Sequence, residues 1–281
     1  MKQHGHNNQH NEASLEAGGM EAIRLVVSDY DHDPFPAIMP FAWDEVMCAQ
    51  ARPGDRPILH VWRHPSAFII GLRDRRLPKV TEALQWLRNE GRETVVRNSG
   101  GAAVPLDSGV INLSLIFPKP SGRINFHRDF AAMVSLIRET LRGWTDQVQD
   151  GEIAGSYCPG DYDLSINGKK FCGIAQRRQA NGVVIQAFIN VDGQGASRAR
   201  LAKTFYERAA GGESGQFPRV TLEHTASLQE LIPISTADEY IQAVRSWARL
   251  QGGQELLRSE ARMTSPEVEN AMRALIERYD K

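Results

Sequence analysis

The sequence predicts an α+β fold in which a largely antiparallel or mixed β-sheet is flanked by helices and followed by a helical C-terminal extension. Three observations support this prediction. Short apolar runs of strand length recur between turn residues. Two Asn-Gly turns, at 167–168 and 181–182, fold residues 161–191 into an antiparallel meander. Apolar residues at helical spacing, together with Ser and Thr capping positions, mark the helices.

The N-terminal half is predicted to alternate strands with helices. Residues 1–20 are polar and predict a disordered tail. A short helix is expected over 41–50, and a second helix begins at Pro78 and ends at Gly91. Between these elements, apolar runs bounded by turn residues predict the strands. The predicted strands are 23–27, 58–62, 67–71, 93–97 and 110–117.

The C-terminal half is predicted to pass through the meander and end in helices. Apolar residues at helical spacing predict a helix over 129–144. Within the meander, the strands are expected at 161–166, 169–176 and 183–191. Four later helices have predicted start signals. These signals are Ser197, for a helix through Ala209, and then Ser227, Ser235-Thr236 and Ser265-Pro266.

Composition limits the class of protein. The chain has 281 residues, 41% of them hydrophobic, and a formal net charge of -1, which predicts neither a nucleic-acid nor a membrane partner. The polar start is unlike a signal peptide, and no apolar run approaches the ~18 residues of a membrane span. Three cysteines without a pairing motif fit a reducing cytoplasm, and no metal-ligand spacing occurs.

A cysteine loop followed by a hairpin is the densest feature of the sequence. Cys158 lies between Gly155 and Pro159-Gly160, which favour a bent backbone and predict an exposed thiol. The hairpin then folds Lys169 or Lys170 back toward the loop. A free thiol with a pKa of about 8.5 is only a few per cent thiolate at pH 7, and a nearby ammonium raises that fraction. The pattern therefore predicts a nucleophile that is activated without histidine.

The spacing alone leaves two alternatives open. Side chains alternate along a strand, so only one of Lys169 and Lys170 can face the site. Lys170 and Cys172 share a face, which makes Cys172 a rival nucleophile. Alternatively, Cys158 is an ordinary loop thiol and Cys172 a small core residue, as most free cysteines are.

Two stretches, GSYCPGDYDLSINGKKFCGIAQRR at 155–178 and RNSGGAAVPLDSGVINLSLI at 97–116, resemble the biotin/lipoate ligase and octanoyltransferase superfamily, and within it most closely the lipoyl amidotransferases. The superfamily pattern of a lysine, an apolar residue, a small residue and a glycine matches 170–173. The resemblance therefore implies that Lys170 is the pocket lysine and Cys158 the acyl-accepting cysteine, and it makes Cys172 the small residue. It further implies that the glycine loop, Ser99-Gly100-Gly101, lines an acyl pocket. The implied substrate-binding residues are Arg97, Gly100, Gly101 and Gly173.

The resemblance also implies an activity and an organisation. Residues 21–281 would form one biotin/lipoate ligase-like catalytic domain, with a core at about 40–235 and a helical extension at 236–281. The enzyme would move an octanoyl or lipoyl group from a lysine of the glycine cleavage H protein to a lysine of the lipoyl domains of 2-oxoacid dehydrogenase acyltransferase subunits. A thioester on Cys158 would carry the group, without ATP, metal or another cofactor. A basic patch formed by Arg73, Arg75, Arg76, Arg177 and Arg178 would steer these acidic partners.

Other functions fit parts of the pattern. An octanoyl-acyl carrier protein:protein octanoyltransferase keeps the fold and changes the donor. In an ATP-dependent lipoate-protein ligase, Cys158 would have no catalytic role. A lipoyl-domain binding protein would need no chemistry at all. A cysteine protease is disfavoured because no histidine lies in the central motif.

Overall fold

A computed structural model describes residues 20–119, 126–212 and 217–279, so the predicted N-terminal tail lies almost wholly outside the described residues. The described part of the chain contains eleven strands and seven α-helices. The strands are β1 Arg24–Asp29, β2 Ile58–Arg63, β3 Ser66–Ile70, β4 Glu93–Val96, β5 Val104–Asp107, β6 Val110–Pro118, β7 Gln149–Asp150, β8 Leu164–Ile166, β9 Lys169–Arg178, β10 Gly182–Asn190 and β11 Gln254–Leu256. The helices are α1 Met39–Gln50, α2 Val80–Asn89, α3 Phe126–Leu141, α4 Gly195–Ala210, α5 Leu228–Leu231, α6 Ala237–Leu250 and α7 Pro266–Tyr279.

The strands form one large and one small sheet. The large sheet has eight strands in the order β11-β1-β2-β6-β10-β9-β8-β7, and the small one has the order β4-β3-β5. In the large sheet β1 is parallel to β2 and to β11. The other neighbouring pairs, which are β2–β6, β6–β10, β10–β9, β9–β8 and β8–β7, are antiparallel. The predicted mixed, largely antiparallel sheet is therefore confirmed. The small sheet carries the glycine loop, which joins its strands β4 and β5.

The large sheet separates two apolar cores. Alternate residues of β2 and β6 point to opposite faces, so Trp62 belongs to one core and Val61 to the other. The first core is covered by α1, α2, α4, α7 and the small sheet. The second is covered by α3 and α6. Cys158 lies in the first core and Cys172 in the second.

Several element boundaries differ from the predictions. The strand β5 was not predicted, because its four residues include Pro105 and follow a glycine loop. The helix predicted to begin at Ser197 begins at Gly195, and its N-cap residue is Gln194. The capping predictions at Ser227 and Thr236 are confirmed: Ser227 forms a capping box, and the Thr236 side chain accepts a hydrogen bond from the Glu239 N–H.

The C-terminal extension is not purely helical. Its strand β11 pairs in parallel with β1 and so completes the edge of the large sheet. The last helix, α7, packs on α1 near the start of the described chain. Among the described residues, no helix is both long and apolar enough to cross a membrane.

Candidate active site

A cavity of about 300 Å³ lies between the glycine loop, the cysteine loop and the strands β6, β9 and β10. Its lining is mostly apolar, which suits an acyl chain, and its volume lies at the lower end for small-molecule sites. Five of the six predicted site residues line it, and Lys170 is the exception. The lining residues from the prediction are Arg97, Gly100, Gly101, Cys158 and Gly173.

Cys158 has an unusual backbone and a buried side chain. Its φ is 49°, in the left-handed region that non-glycine residues rarely occupy. Such conformations cost of the order of 1 kcal/mol and are concentrated at functional sites. The bent loop was predicted from Gly155 and Pro159-Gly160, but the predicted exposure was wrong: Cys158 is 7% exposed. The loop folds inward onto the glycine loop, so the thiol faces the cavity and not the bulk solvent.

Two hydrogen-bond donors approach the sulfur. The guanidinium Nη2 of Arg97 lies 3.3 Å from the Sγ of Cys158, and the backbone N of Ala102 lies 3.2 Å from it. The same Nη2 donates to the Ala102 carbonyl oxygen at 2.7 Å, which fixes the guanidinium against the glycine loop. The sulfur thus faces two hydrogen-bond donors of the protein, and one of them belongs to a cation.

The glycine loop needs glycine at one of its two predicted positions. Gly101 has a φ of 101°, and a Cβ there would overlap the Arg97 guanidinium and lie 3.1 Å from the Cys158 Sγ. A Cβ at Gly100, in contrast, would meet no atom within 4 Å. Gly101 therefore allows the close approach of Arg97 and the sulfur, whereas Gly100 is not required for it.

Lys170 lies beneath the cysteine loop and is 1% exposed. Its ammonium donates to the carbonyl oxygen of Tyr157 at 3.0 Å, to that of Cys158, and to Asp163 Oδ2 at 2.8 Å. An ammonium has three N–H donors, and these three partners engage all of them. The expected arrangement, with the ammonium beside the sulfur, is therefore corrected: Lys170 contacts the backbone of the loop and not the thiol.

Asp163 is a partner of Lys170 that was not predicted from the sequence. It is 1% exposed, and burial raises its pKa to about 6 despite the attraction of Lys170. Its Oδ2 also accepts a hydrogen bond from Gly160 N at 3.1 Å, which closes the cysteine loop. The hairpin could have indicated this pair, because the Asn167-Gly168 turn sets residues near Asp163 opposite Lys170.

The other two cysteines are buried in the two cores. Cys172 is fully buried, and burial raises its pKa well above the ordinary value. Burial also raises the pKa of Cys48 to about 12. Neutral, buried thiols are poor nucleophiles, and of the three cysteines Cys158 is the one that lines the cavity. That Cys158 is the nucleophile stays a prediction.

A second network supports the glycine loop from behind. The Ala103 N–H donates to the Tyr206 hydroxyl at 2.9 Å, and that hydroxyl donates to Asp74 Oδ1 at 3.1 Å. Asp74 Oδ2 accepts from the Gly71 N–H at 2.9 Å. This network fixes the backbone that presents the Ala102 N–H to sulfur. No local sequence pattern marks it, because Tyr206 comes from α4, on a distant part of the chain.

An aromatic pair lies at the cavity wall. Tyr162 of the cysteine loop stacks on Phe130 of α3, with ring centroids 4.2 Å apart, and both rings line the cavity. The Tyr162 hydroxyl also hydrogen-bonds the ring of His127. The position of Phe130 at the cavity follows from the placement of α3.

The predicted basic patch is weaker than its sequence suggests. Arg177 forms an ion pair with Glu45, and Arg178 forms one with Asp129. The Nε of Arg75 donates to the backbone oxygen of Tyr279 at 3.2 Å. The charges of Arg177 and Arg178 are thus offset within the molecule, while Arg73 and Arg76 are exposed. The steering role stays a prediction, and the two exposed arginines are the members of the patch that could perform it.

Comparison with known proteins adds independent information. Residues 36–247 match the family model of the lipoyl protein ligase A/B catalytic domain. A curated protein of Geobacillus kaustophilus (strain HTA426), named octanoyl-[GcvH]:protein N-octanoyltransferase, is 44% identical over 221 residues, covering 77% of each chain. A protein of the same name from Anoxybacillus flavithermus is 46% identical over 201 residues, covering 70% of this chain and 72% of that protein.

The fold has solved counterparts as well. The structure of a bipartite lipoate protein ligase from Thermoplasma acidophilum superposes with a TM-score of 0.65 at 23% identity, covering 93% of this chain and 94% of that chain. At this level of identity the likeness concerns the fold alone. It is consistent with the mixed sheet and flanking helices described above.

Proposed function

Because the chain belongs to the lipoyl protein ligase A/B catalytic domain family, we propose that it transfers an octanoyl group from a lysine of the glycine cleavage H protein to a lysine of an acceptor protein in protein lipoylation. Relatives at 44% and 46% identity are N-octanoyltransferases, and this chain is an acyltransferase of the same kind. The observation that carries the proposal is Cys158, whose sulfur faces a mostly apolar cavity and receives two hydrogen-bond donors.

The transfer has two steps in which bonds and protons balance. In the first, the Cys158 sulfur attacks the carbonyl carbon of the octanoyl-lysine amide; a C–S bond forms, the C–N bond breaks, and the lysine amine leaves with the proton of the thiol. In the second, the amine of the acceptor lysine attacks the thioester; a C–N bond forms, the C–S bond breaks, and a proton returns to sulfur. Nothing is oxidised or reduced, and one amide replaces another, so the exchange needs no ATP.

In this scheme the apolar cavity stabilises the thioester intermediate. A thioester lies uphill of an amide, so binding must stabilise the intermediate. Burying the seven carbons of the chain beyond the carbonyl, at roughly 0.8 kcal/mol each, contributes at most about 5 to 6 kcal/mol. The apolar lining residues are Phe41, Trp62, Ile69, Val104, Leu106, Leu113, Phe130, Ile174, Ala175, Ala187 and Phe188.

The proposal includes partners and a compartment. The acceptors are the lipoyl domains of 2-oxoacid dehydrogenase acyltransferase subunits, as the resemblance to the lipoyl amidotransferases implies. The reaction takes place in the cytoplasm, whose reducing conditions suit the free thiols of Cys48, Cys158 and Cys172. Octanoyl-acyl carrier protein and free octanoate with ATP are the rival acyl sources, and a direct comparison of donors separates them.

The test is intact-protein mass spectrometry after incubation with octanoylated H protein, without nucleotide. We expect one octanoyl increment on the wild-type chain, no increment on Cys158→Ala, and an unchanged increment on Cys172→Ala. Adding an apo lipoyl domain should then move the octanoyl group to that domain.

The outcomes that contradict the proposal are distinct. An increment that persists in Cys158→Ala and disappears in Cys172→Ala would move the nucleophile to Cys172. An increment formed only with octanoyl-acyl carrier protein would change the donor. Acceptor octanoylation that needs ATP and persists in Cys158→Ala would indicate a ligase.

A further inference from the structure

We infer that Phe130, Asp161 and Tyr162 form a lysine site at the mouth of the cavity, which receives the lysine side chain of the donor and acceptor proteins. This inference rests on the proposed function, because it takes both substrates to be protein-bound lysines. It concerns the lysine half of the octanoyl-lysine amide, whereas the acyl half occupies the interior of the cavity.

The accessibility of the lining residues separates the mouth of the cavity from its interior. The exposed lining residues are Gly100, Gly101 and Asp161, and the rings of Phe130 and Tyr162 are half-buried. The other aromatic residues of the lining are buried; they are Phe41, Trp62 and Phe188. The aromatic pair therefore lies at the solvent side of the cavity, next to an exposed carboxylate.

A lysine side chain has to cross this mouth. Cys158 is buried, so its sulfur meets the amide below the surface of the protein. Lysine carries its nitrogen on a flexible four-carbon stem. The backbone of the donor or acceptor protein can thus stay outside while the stem spans the mouth and places the nitrogen near the sulfur.

The aromatic pair offers this stem a preformed apolar wall. The ring centroids of Phe130 and Tyr162 are 4.2 Å apart, and the ring planes differ by 2°. The Tyr162 hydroxyl is hydrogen-bonded to His127, and the next residue, Asp163, is held by Lys170 at 2.8 Å. Because the wall is fixed before binding, burying the methylene groups of a lysine stem against it orders little of the protein.

The charge at the mouth suits the free lysine of an acceptor. A lysine side chain with a pKa of about 10.4 arrives as an ammonium ion, which the exposed carboxylate of Asp161 and the faces of aromatic rings attract. Arg178, a cation that contacts the same helix α3, is already paired with Asp129 and lies over the Phe126 ring. Its charge is therefore offset and does not cancel that of Asp161.

The test compares two octanoyl donors that differ in the leaving group. Octanoylated H protein releases a lysine, whereas S-ethyl thiooctanoate has no lysine stem. With the second donor the Cys158 sulfur attacks the thioester carbonyl, a new C–S bond forms, the old one breaks, and ethanethiol leaves with the proton of the thiol. Intact-protein mass spectrometry measures the rate at which each donor loads the enzyme.

The ring variants are Phe130→Ala, Tyr162→Ala and Tyr162→Phe. Phe126→Ala is the matched control, since it removes an exposed ring of the same helix that lies outside the cavity lining. We expect the ratio of the loading rates, octanoylated H protein over S-ethyl thiooctanoate, to fall about ten-fold in both alanine variants. Loss of a ring uncovers about two methylene groups of the stem, and each is worth a factor of about four. Tyr162→Phe, which keeps the ring, should fall between Tyr162→Ala and the wild type, and the control should stay within about two-fold.

Asp161→Asn tests the carboxylate on the acceptor side. With enzyme already loaded from S-ethyl thiooctanoate, we expect the KM for an apo lipoyl domain to rise about three-fold at low salt and less at high salt, with little change in kcat. Asp146→Asn is the matched control, because Asp146 is exposed and lies outside the cavity lining.

Two results would overturn the inference. Equal losses with both donors would mean that the rings bind the acyl chain and not the lysine, and a wild-type ratio in both alanine variants would mean that the lysine enters elsewhere. If Tyr162→Ala does not fold, as thermal unfolding would show, Phe130→Ala and Asp161→Asn decide. A wild-type chain that loads only from S-ethyl thiooctanoate would refute the proposed donor, and transfer from that loaded enzyme to the lysine of a lipoyl domain would still test the rings.

Discussion

Arg97 and Lys170 are two buried cations that contact the same loop, yet their surroundings differ. Lys170 is paired with Asp163 and has every donor engaged, and the nearby Cys172 is a fully buried thiol. Arg97 contacts the Cys158 sulfur, lines the cavity and keeps a donor without a partner. The difference is one of position: the ammonium of Lys170 holds the backbone of the cysteine loop, whereas the guanidinium of Arg97 reaches the sulfur and the cavity.

The largest expected effect is on stability and concerns Lys170. Lys170→Met leaves the buried Asp163 carboxyl and two loop carbonyl groups without their partner, and we expect it to lower the free energy of unfolding by about 3 to 5 kcal/mol. Lys169→Met is the matched control, because Lys169 is exposed, and its expected effect is within about 0.5 kcal/mol. Urea unfolding of both variants measures the difference.

The double variant Lys170→Met/Asp163→Asn sharpens this prediction. It removes the pair together, so it should recover a large part of the stability lost in Lys170→Met. A Lys170→Met protein as stable as the wild type would show that the pair does not hold the loop, and the contrast between the two cations would fail.

The next effect is on the rate of thioester formation and concerns the contact between Arg97 and the sulfur of Cys158. A Cβ at Gly101 would overlap the Arg97 guanidinium and approach the sulfur, and the φ of 101° disfavours any side chain. Displacements of about 1 Å in an active site can cost on the order of a hundred-fold in rate, so we expect such a loss of thioester formation in Gly101→Ala. The initial rate of octanoyl adduct formation measures it.

Gly143→Ala is the control for this change, since a Cβ there has open space and Gly143 does not line the cavity. It should keep the adduct rate within about three-fold of the wild type, because no contact to sulfur changes. A wild-type adduct rate in Gly101→Ala would mean that the Arg97–sulfur contact has no special weight.

The smallest expected effect concerns pH. Burial raises the pKa of Asp163 to about 6 from an ordinary value of 3.8, so between these values the folded chain binds a proton that the unfolded chain has lost. The contribution of Asp163 to stability is therefore complete below about pH 4 and is lost as the pH rises through about 6. A shift of this size corresponds to roughly 2 to 3 kcal/mol.

Asp163→Asn removes this titration and so provides the measurement. The stability of the wild type relative to Asp163→Asn should fall as the pH rises from 4 to 6 and stay constant above 7, as followed by urea unfolding at several pH values. A difference that rises over this range would mean that Lys170 keeps the carboxylate ionised, and that the buried pair is stronger than its burial suggests.

Much of the fold and some of the site could be predicted from the sequence. The family, the α+β fold with its mixed sheet, and the acyltransferase activity are confirmed. The Asn167-Gly168 turn has the positive φ angles, 52° and 73°, of a two-residue hairpin, and Ser227 and Thr236 cap their helices as predicted. These features depend on neighbouring residues and on the backbone preferences of Gly, Asn, Ser and Thr, which act over only a few positions of the chain.

The features that the sequence did not reveal depend on contacts between residues that are far apart in the chain. Arg97 and Cys158 are 61 positions apart, and the packing of the small sheet against the cysteine loop brings them together. The burial of Cys158, the Asp74–Tyr206 support and the ion pairs of Arg177 and Arg178 have the same origin. Each is a contact between elements that no local pattern records.

The sequence by itself determined that a bent loop carries Cys158 and that a hairpin returns a lysine beneath it, because turn chemistry is local. Only the tertiary structure decided which cation reaches the sulfur. That choice depends on where the partners of each cation lie, and those partners come from distant parts of the chain. Asp163 and two loop carbonyl groups hold Lys170 beneath the loop, whereas the Ala102 carbonyl group holds Arg97 at the sulfur.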